Sequence, residues 1–213
     1  MDCDVKPVLV VEDHAIVRAG IRRLLDERGD IEVAEVATGE AALETIAGRA
    51  FALVILDLNL PGLAGLELLR RMVRQAPGQP VLIFSQHTEA IYATRALENG
   101  ARGYISKNAN PEELLGAVET ILNGGVAIEK DVAAEMAAHD LAEDAYLRPL
   151  TERDLEILRL LAAGDSLSEI ADKLGIAYKT VANTLSRIKE KLGVGQTSEL
   201  IRIAVSRGLA DRV

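Results

Sequence analysis

The 213-residue sequence predicts a doubly wound α/β domain built on a parallel five-stranded sheet, followed by a small all-α domain. Three observations carry this. Up to about residue 124, short β-branched runs alternate with amphipathic stretches five times over, the pattern of repeated strand–helix units. Two of the runs, Leu-Val-Ile-Leu at 53–56 and Val-Leu-Ile-Phe at 81–84, are continuously apolar, as parallel strands covered on both faces require. Past Pro149 no strand pattern recurs and every apolar period is short and helical.

Taken in order, the expected strands are Pro7–Val11, Ile31–Val36, Leu53–Asp57, Val81–Ser85 and Gly103–Ser106. Helical patterns lie between and after them, near 15–27, 39–48, 64–75, 88–99 and 111–123. Thr38 precedes the second helix as a cap. Asn110-Pro111-Glu112-Glu113 opens the fifth, and Gly124-Gly125 closes it. The division expected is residues 1–124, an acidic and partly helical linker at 125–148, and a second domain at 149–213. There, Thr151 caps a helix whose Leu155, Leu158 and Leu161 share one face. Ser166 and Glu169 form a capping box for the next, which ends near Leu174. After the tight turn Gly175-Ile176-Ala177, Val181, Leu185, Ile188 and Leu192 recur at spacings of 4, 3 and 4, a stripe for the core. A last helix, about Ser198–Arg207, carries Leu200, Ile201, Ala204 and Val205, which suit a homodimer contact or packing within the domain equally well.

Composition removes several classes. One cysteine, Cys3, excludes a disulfide scaffold, and three scattered histidines share no zinc-ligand spacing. The longest apolar run, Ala50–Leu56, is far short of the ~20 residues that span a bilayer. The acidic N-terminus is unlike a secretory signal, so a soluble, cytoplasmic protein without membrane association is expected. A net charge of −9 argues, taken whole, against nucleic acid. Its distribution does not. Residues 1–124 carry 12 basic and 18 acidic side chains, 125–149 carry 2 and 6, and 150–213 carry 10 and 9. Between Lys173 and Lys191 five basic residues, Lys173, Lys179, Arg187, Lys189 and Lys191, stand against one acid, Glu190.

Ligands of open parallel sheets bind beyond the carboxyl ends of the strands. Here those ends carry Glu12 and Asp13, then Asp57, Ser85 and Lys107, and they converge if these strands are central. Three close carboxylates repel one another unless a cation compensates, and hard oxygen donors suit Mg²⁺ (or Mn²⁺). Asp57 then has the place of a phosphoryl-accepting nucleophile, Lys107 of a charge neutraliser, and Ser85 of a hydrogen-bond donor to a phosphoryl oxygen. A single Asp at a strand end is ordinarily a turn residue; polar groups at so many successive strand ends are not.

Residues 7–124 resemble the flavodoxin-like receiver domain of two-component response regulators. The resemblance rests on Val-Val-Glu-Asp-His at 10–14, Leu-Asp-Leu-Asn-Leu-Pro-Gly at 56–62, Phe-Ser at 84–85 and Gly-Tyr-Ile-Ser-Lys at 103–107. It implies that Asp57 accepts a phosphoryl group from a sensor histidine kinase, and that Glu12, Asp13, Asp57 and the Asn59 carbonyl hold the metal. It also implies that Ser85 and Tyr104 are the switch pair, the ring packing inward behind the hydroxyl. Asn59 and His87 occupy positions where the family tunes phosphoryl lifetime, and a role as exposed polar residues serves equally. Two departures stand out: Glu12 where Asp is commoner, and Asn108 after Lys107 where many receivers have Pro.

A short helix, a Gly-containing turn and a polar-basic second helix are the parts of a helix-turn-helix, whose second helix enters the major groove. Residues 148–210 resemble the LuxR/FixJ class through Leu-Thr-x-Arg-Asp at 150–154, Glu-Ile-Ala-x-x-Leu at 169–174, Lys-Thr-Val-x-Asn at 179–183 and Lys-Leu-Gly-Val at 191–194. The match implies a recognition helix at 178–192, with Ala182, Asn183 and Ser186 facing the groove and Lys179, Thr180, Arg187 and Lys189 on phosphates. Ala182 and Thr184 replace the Lys and His of many relatives, and Ala177 the usual capping Ser. Base readout then rests on Asn183 with adenine and Ala182 with a thymine methyl.

Together these resemblances imply a response regulator of the NarL/FixJ family. It would bind double-stranded DNA, form a homodimer on phosphorylation, and catalyse nothing beyond its own phosphoryl transfer and dephosphorylation. A receiver acting as a phosphate sink or protein-docking module is the alternative. A phosphohydrolase with a strand-end Asp nucleophile needs a second Asp two residues on, where this chain has Asn59.

Overall fold

The computed structural model describes residues 5–62, 65–138, 146–207 and 209. Cys3, residues 139–145 of the expected linker and the last residues of the chain lie outside them. The chain divides into two compact units, Met1–Ala138 and His139–Val213.

In the first unit the strands are β1 Lys6–Val11, β2 Ile31–Val36, β3 Leu53–Leu56, β4 Val81–Ser85, β5 Gly103–Ser106 and a two-residue β6, Ala127–Ile128. They pair in parallel in the order β2-β1-β3-β4-β5-β6. The helices are α1 Ala15–Asp26, α2 Gly39–Gly48, α3 Gly65–Gln75, α4 Ala90–Glu98, α5 Pro111–Leu122 and α6 Lys130–Ala138. One face of the sheet, through Val8, Val10, Leu53, Ile55, Leu82 and Ile105, packs with Ile21 and Leu25 of α1 and Leu114, Val118 and Ile121 of α5. The alternate residues Leu9, Val11, Val54 and Leu56 are buried as well, so the apolar runs are covered on both sides. Thr38 and Asn110 cap α2 and α5 through their side chains, Asn110 in a reciprocal box with Glu113.

The sheet has six strands, one more than expected, and the sixth lies where a linker was expected. β6 pairs Ala127 with Gly103 and Ile128 with Tyr104. A Cβ on Gly103 would come within 2.6 Å of the Ala127 carbonyl oxygen, so the missing side chain is what admits β6 to the edge of β5. Two residues are too few to show a period, and the strand is invisible to patterning. The following α6 packs on α4, so residues 127–138 belong to the first unit.

The second unit contains α7 Glu152–Ala162, α8 Leu167–Lys173, α9 Tyr178–Leu192 and α10 Thr197–Ser206. Thr151 and Ser166 each form a reciprocal capping box, with Asp154 and Glu169. The α9 cap position, Ala177, makes no side-chain bond, and α9 ends at Gly193 in the left-handed conformation, φ 66°. The stripe Val181, Leu185, Ile188 and Leu192 is buried, with Thr184 on the same face. α10 packs on α7, burying Leu200 and Ala204 and leaving Ile201 and Val205 partly exposed.

Candidate functional site

The strand order makes β1, β3, β4 and β5 neighbours, and their carboxyl ends bring the expected residues together. Backbone bonds fix the ends: Asp57 N–H donates to Val11 O (3.0 Å) and Lys107 N–H to Ser85 O (2.7 Å). The loop after Asp57 is held so closely against α3 that a Cβ on Gly65 would collide with the Leu58 backbone. The Asp57 carboxylate accepts from Asn59 N–H at 3.0 Å and from Lys107 Nζ at 2.8 Å. Lys107 Nζ also lies 2.6 Å from Glu12 Oε2. Asp57 and Glu12 are each 1% exposed.

Ligand atoms of Glu12, Asp13, His14 and Asp57 all lie within 4.8 Å of one another. Three carboxylates thus face one ammonium. Glu12 Oε2 and Asp13 Oδ1 are buried and accept no aligned hydrogen bond, despite Lys107 and, at 2.9 Å from Asp13, His14 Nδ1. Burial works against the Lys107 ammonium, and Asp57 and Glu12 outweigh it, so its pKa stands above the usual lysine value. Excess buried carboxylate oxygens of this kind fit a hard divalent cation.

Behind this cluster Ser85 and Tyr104 are fully buried. Ser85 Oγ accepts from His87 N–H (3.2 Å), and the Tyr104 hydroxyl donates to His87 O (2.8 Å), so the ring is turned inward. His87 is buried, which corrects its reading as an exposed polar residue. Its Nε2 meets Asn59 Oδ1 at 2.9 Å and its ring stacks on Tyr92, centroids 4.0 Å apart.

Sequence reasoning passed over three residues here. His14 stands beside Glu12 and Asp13, and it was legible only as part of a motif. Arg18, one turn into α1, donates from Nη1 to Glu12 O at 2.6 Å and holds the acidic loop. Glu129 accepts from Ser106 N–H (2.6 Å) and Ser106 Oγ (3.1 Å), while its own N–H donates to Tyr104 O (3.0 Å). It lies 23 residues from Ser106, beyond the reach of any local pattern.

In the second unit Lys179, Thr180, Asn183 and Ser186 are exposed along α9, and Ala182 and Lys189 are half-buried beside them. Tyr178, at the start of the helix, is also exposed (57%). Of the five basic residues between 173 and 191, three have carboxylate partners. Lys173 binds Asp165 at 2.7 Å, and Arg187 and Lys191 bind Asp154 at 3.2 and 2.5 Å. Lys179 and Lys189 have no ion-pair partner among the described residues. Arg187, expected on phosphates, thus meets Asp154 while its side chain stays 57% exposed. Asp154 is fully buried, and its burial opposes ionisation. Lys191 and Thr151 prevail, holding its carboxyl below the usual range.

Comparison with known proteins agrees with both halves. Residues 8–119 match the model of the response regulator receiver domain, and 148–204 that of the bacterial regulatory proteins of the luxR family. The chain is 38% identical to the transcriptional activator protein ExaE of Pseudomonas putida over 207 residues, 95% of this chain and 97% of that one. It is 33% identical to the response regulator UvrY of Escherichia coli K12 over 208 residues, 96% and 95% of the two chains. RcsB of Salmonella enterica serovar Typhimurium, solved bound to the promoter rprA with the phosphomimetic BeF₃⁻, shares the fold. Its TM-score is 0.63 at 24% identity, over 93% of this chain and 98% of that one. With a receiver at one end and a LuxR-type helix-turn-helix at the other, the chain belongs to the NarL/FixJ family of response regulators, DNA-binding regulators of transcription.

Proposed function

We propose that this response regulator is switched by phosphorylation of Asp57 by a sensor histidine kinase, with 1–124 as receiver and 149–213 as the DNA-binding domain. The observation that carries the reading is the Asp57 carboxylate, held at a strand end by Lys107 at 2.8 Å among carboxylates that outnumber their one cation. In the transfer, an Asp57 oxygen bonds to phosphorus as the P–N bond of the kinase's phosphohistidine breaks, and the imidazole leaves after taking a proton. Glu12, Asp13, Asp57 and the Asn59 carbonyl would hold Mg²⁺ or Mn²⁺. The ion, when bound, supplies the positive charge that lets an anionic phosphoryl group approach an anionic side chain.

Lys107 orients the Asp57 carboxylate and neutralises charge on the incoming group. Ser85 donates to a phosphoryl oxygen once Asp57 carries it, exchanging its bond with the His87 amide for that interaction, and Tyr104 packs behind it. A local charge change thereby biases a two-state element. Phosphorylation favours a homodimer, which brings two copies of α9 to DNA. Asn183, Ala182 and Ser186 face the bases, and Lys179, Thr180 and Lys189 the phosphates. Arg187, already engaged with Asp154, is not counted among them. Phosphotransfer from a kinase and action on DNA both support a cytoplasmic location.

The test is binding to a duplex selected from a random-sequence pool, with and without acetyl phosphate or BeF₃⁻ plus Mg²⁺, for wild type and Asp57→Asn. Activation should tighten wild-type binding and leave Asp57→Asn unchanged. Equal affinity in every case removes control by phosphorylation, and no binding in any case removes the DNA-binding role.

A further inference from the structure

We propose that Asp154 is a positioning residue for DNA recognition. Its buried carboxylate sets the placement of α9, and Arg187 belongs to this clamp and not to the phosphate-binding set. The proposal rests on the DNA-binding reading above and assigns within it a role to a residue that touches no base.

Both oxygens of Asp154 are engaged, and from two directions. Oδ1 accepts from Arg187 Nη2 at 3.2 Å. Oδ2 accepts from Lys191 Nζ at 2.5 Å and from Thr151 N–H at 2.9 Å. Asp154 N–H in turn donates to Thr151 Oγ1 at 3.2 Å, closing the cap of α7. One side chain, 0% exposed, thus ends one helix and holds two cations of another, 33 and 37 residues along the chain.

Arg187 and Lys191 lie one turn apart, on the flank between the buried stripe of α9 and its exposed face. Apolar packing of Val181, Leu185, Ile188 and Leu192 holds the helix to the core but is non-directional. Small rolls about the helix axis change it little. Charge-assisted hydrogen bonds to a fixed, buried acceptor are directional, and a pair one turn apart resists both roll and slide. The turn ahead of α9 is held from the same element: Arg153 Nη2 donates to Leu174 O at 2.9 Å. Since Asn183 and Ser186 face outward from α9, its roll decides which base edges they meet.

A cation held by a carboxylate releases no counterion on binding DNA, so the clamp has a signature in the salt dependence. The slope of log K against log salt falls by about 0.9 for each phosphate that the protein no longer neutralises. With the full chain, activated by acetyl phosphate and Mg²⁺, affinity is measured against salt on a pool-selected duplex and a shuffled one. Lys179→Ala and Lys189→Ala should each lower the slope by about 1 on both duplexes. Arg187→Ala should leave the slope unchanged and lower the ratio of selected to shuffled affinity by about tenfold. Asp154→Asn, which keeps an acceptor for the Thr151 amide but releases both cations, should lower that ratio at least as much while the slope steepens. Asp154→Glu, which restores the charge, should recover part of the ratio.

An Arg187→Ala slope that drops like that of Lys179→Ala, or an undiminished ratio in that variant, overturns the assignment. Because the Arg187 side chain is 57% exposed, this variant still folds if Asp154→Asn does not, and it decides the question alone. If the wild-type chain binds neither duplex at any salt, the DNA-binding reading fails and takes this assignment with it. Wild-type discrimination with a lowered Arg187→Ala slope removes the assignment only.

Discussion

Each unit buries a carboxylate against cations, and the two clusters are balanced in opposite ways. At the strand ends of the first unit Glu12 and Asp57 share one lysine with Asp13 beside them, and buried oxygens of Glu12 and Asp13 accept no aligned hydrogen bond. In the second unit a single aspartate, Asp154, is shared by two cations and a backbone amide. Both are costly burials of charge. The first is left incomplete, which is tolerable where an incoming cation and anion complete it. The second is saturated, as a joint between helices should be. The degree of saturation, more than burial itself, distinguishes the two clusters.

That contrast can be broken most severely at Asp57. Asp57→Asn should abolish stable phosphoryl incorporation from acetyl phosphate with Mg²⁺, read by a mobility shift on a phosphate-affinity gel. Retained labelling would move the acceptor elsewhere. Next in size is Lys107→Ala, which leaves three carboxylates with no compensating ammonium. Stability of the first unit should fall by about 3–5 kcal/mol without divalent ions and recover for the most part when Mg²⁺ is added. Urea unfolding with and without Mg²⁺ measures it, and a destabilisation indifferent to Mg²⁺ would contradict the incomplete character of that cluster.

Asp154→Ala should cost less, about 1–3 kcal/mol, because the cations it releases reach solvent and only a cap and a joint are removed. The same group makes the second unit acid-sensitive. Its carboxyl is held below the usual range, so its contribution is complete above the unfolded value of about 4 and disappears as pH falls through the lowered folded value. Unfolding followed by resonances of 150–207 should lose that acid dependence in Asp154→Asn, and an unchanged profile would assign the dependence to other groups. The smallest effect is expected at Glu129. Glu129→Ala should remove about 1 kcal/mol of local stability, raising amide exchange in 127–138 and leaving 178–192 as before. Exchange that stays slow in 127–138 would mean that β6 and α6 hold without the bonds to Ser106.

Local signals made most of the fold legible. Continuous apolar runs marked β3 and β4, and the caps at Thr38, Asn110, Thr151 and Ser166 were readable because a cap is a pattern over four residues. The acidic site was legible for a related reason: strands of a parallel sheet end at one edge, so residues far apart in sequence but equivalent in register had to meet once the order was known. β6 escaped because two residues carry no period, and Glu129 because its partner depends on that strand. His87 read equally as an exposed polar residue, and its burial comes with the approach of Asn59 and Tyr92, distant in sequence or on the next helix.

Charge shows the limit best. Five basic residues between 173 and 191 counted as an electrostatic face. Folding pairs three of them with carboxylates, and among the described residues Lys179 and Lys189 are the two of the five without an ion-pair partner. By itself the sequence determined the strands and helices other than β6 and α6, the acids at the strand ends and the polar face of α9, because periodicity, caps and register act over a few residues. Only tertiary structure decided which charges pair, how many carboxylates crowd together and that residues 127–138 join the first unit. Those outcomes depend on groups tens of residues apart being brought within hydrogen-bond distance and out of water.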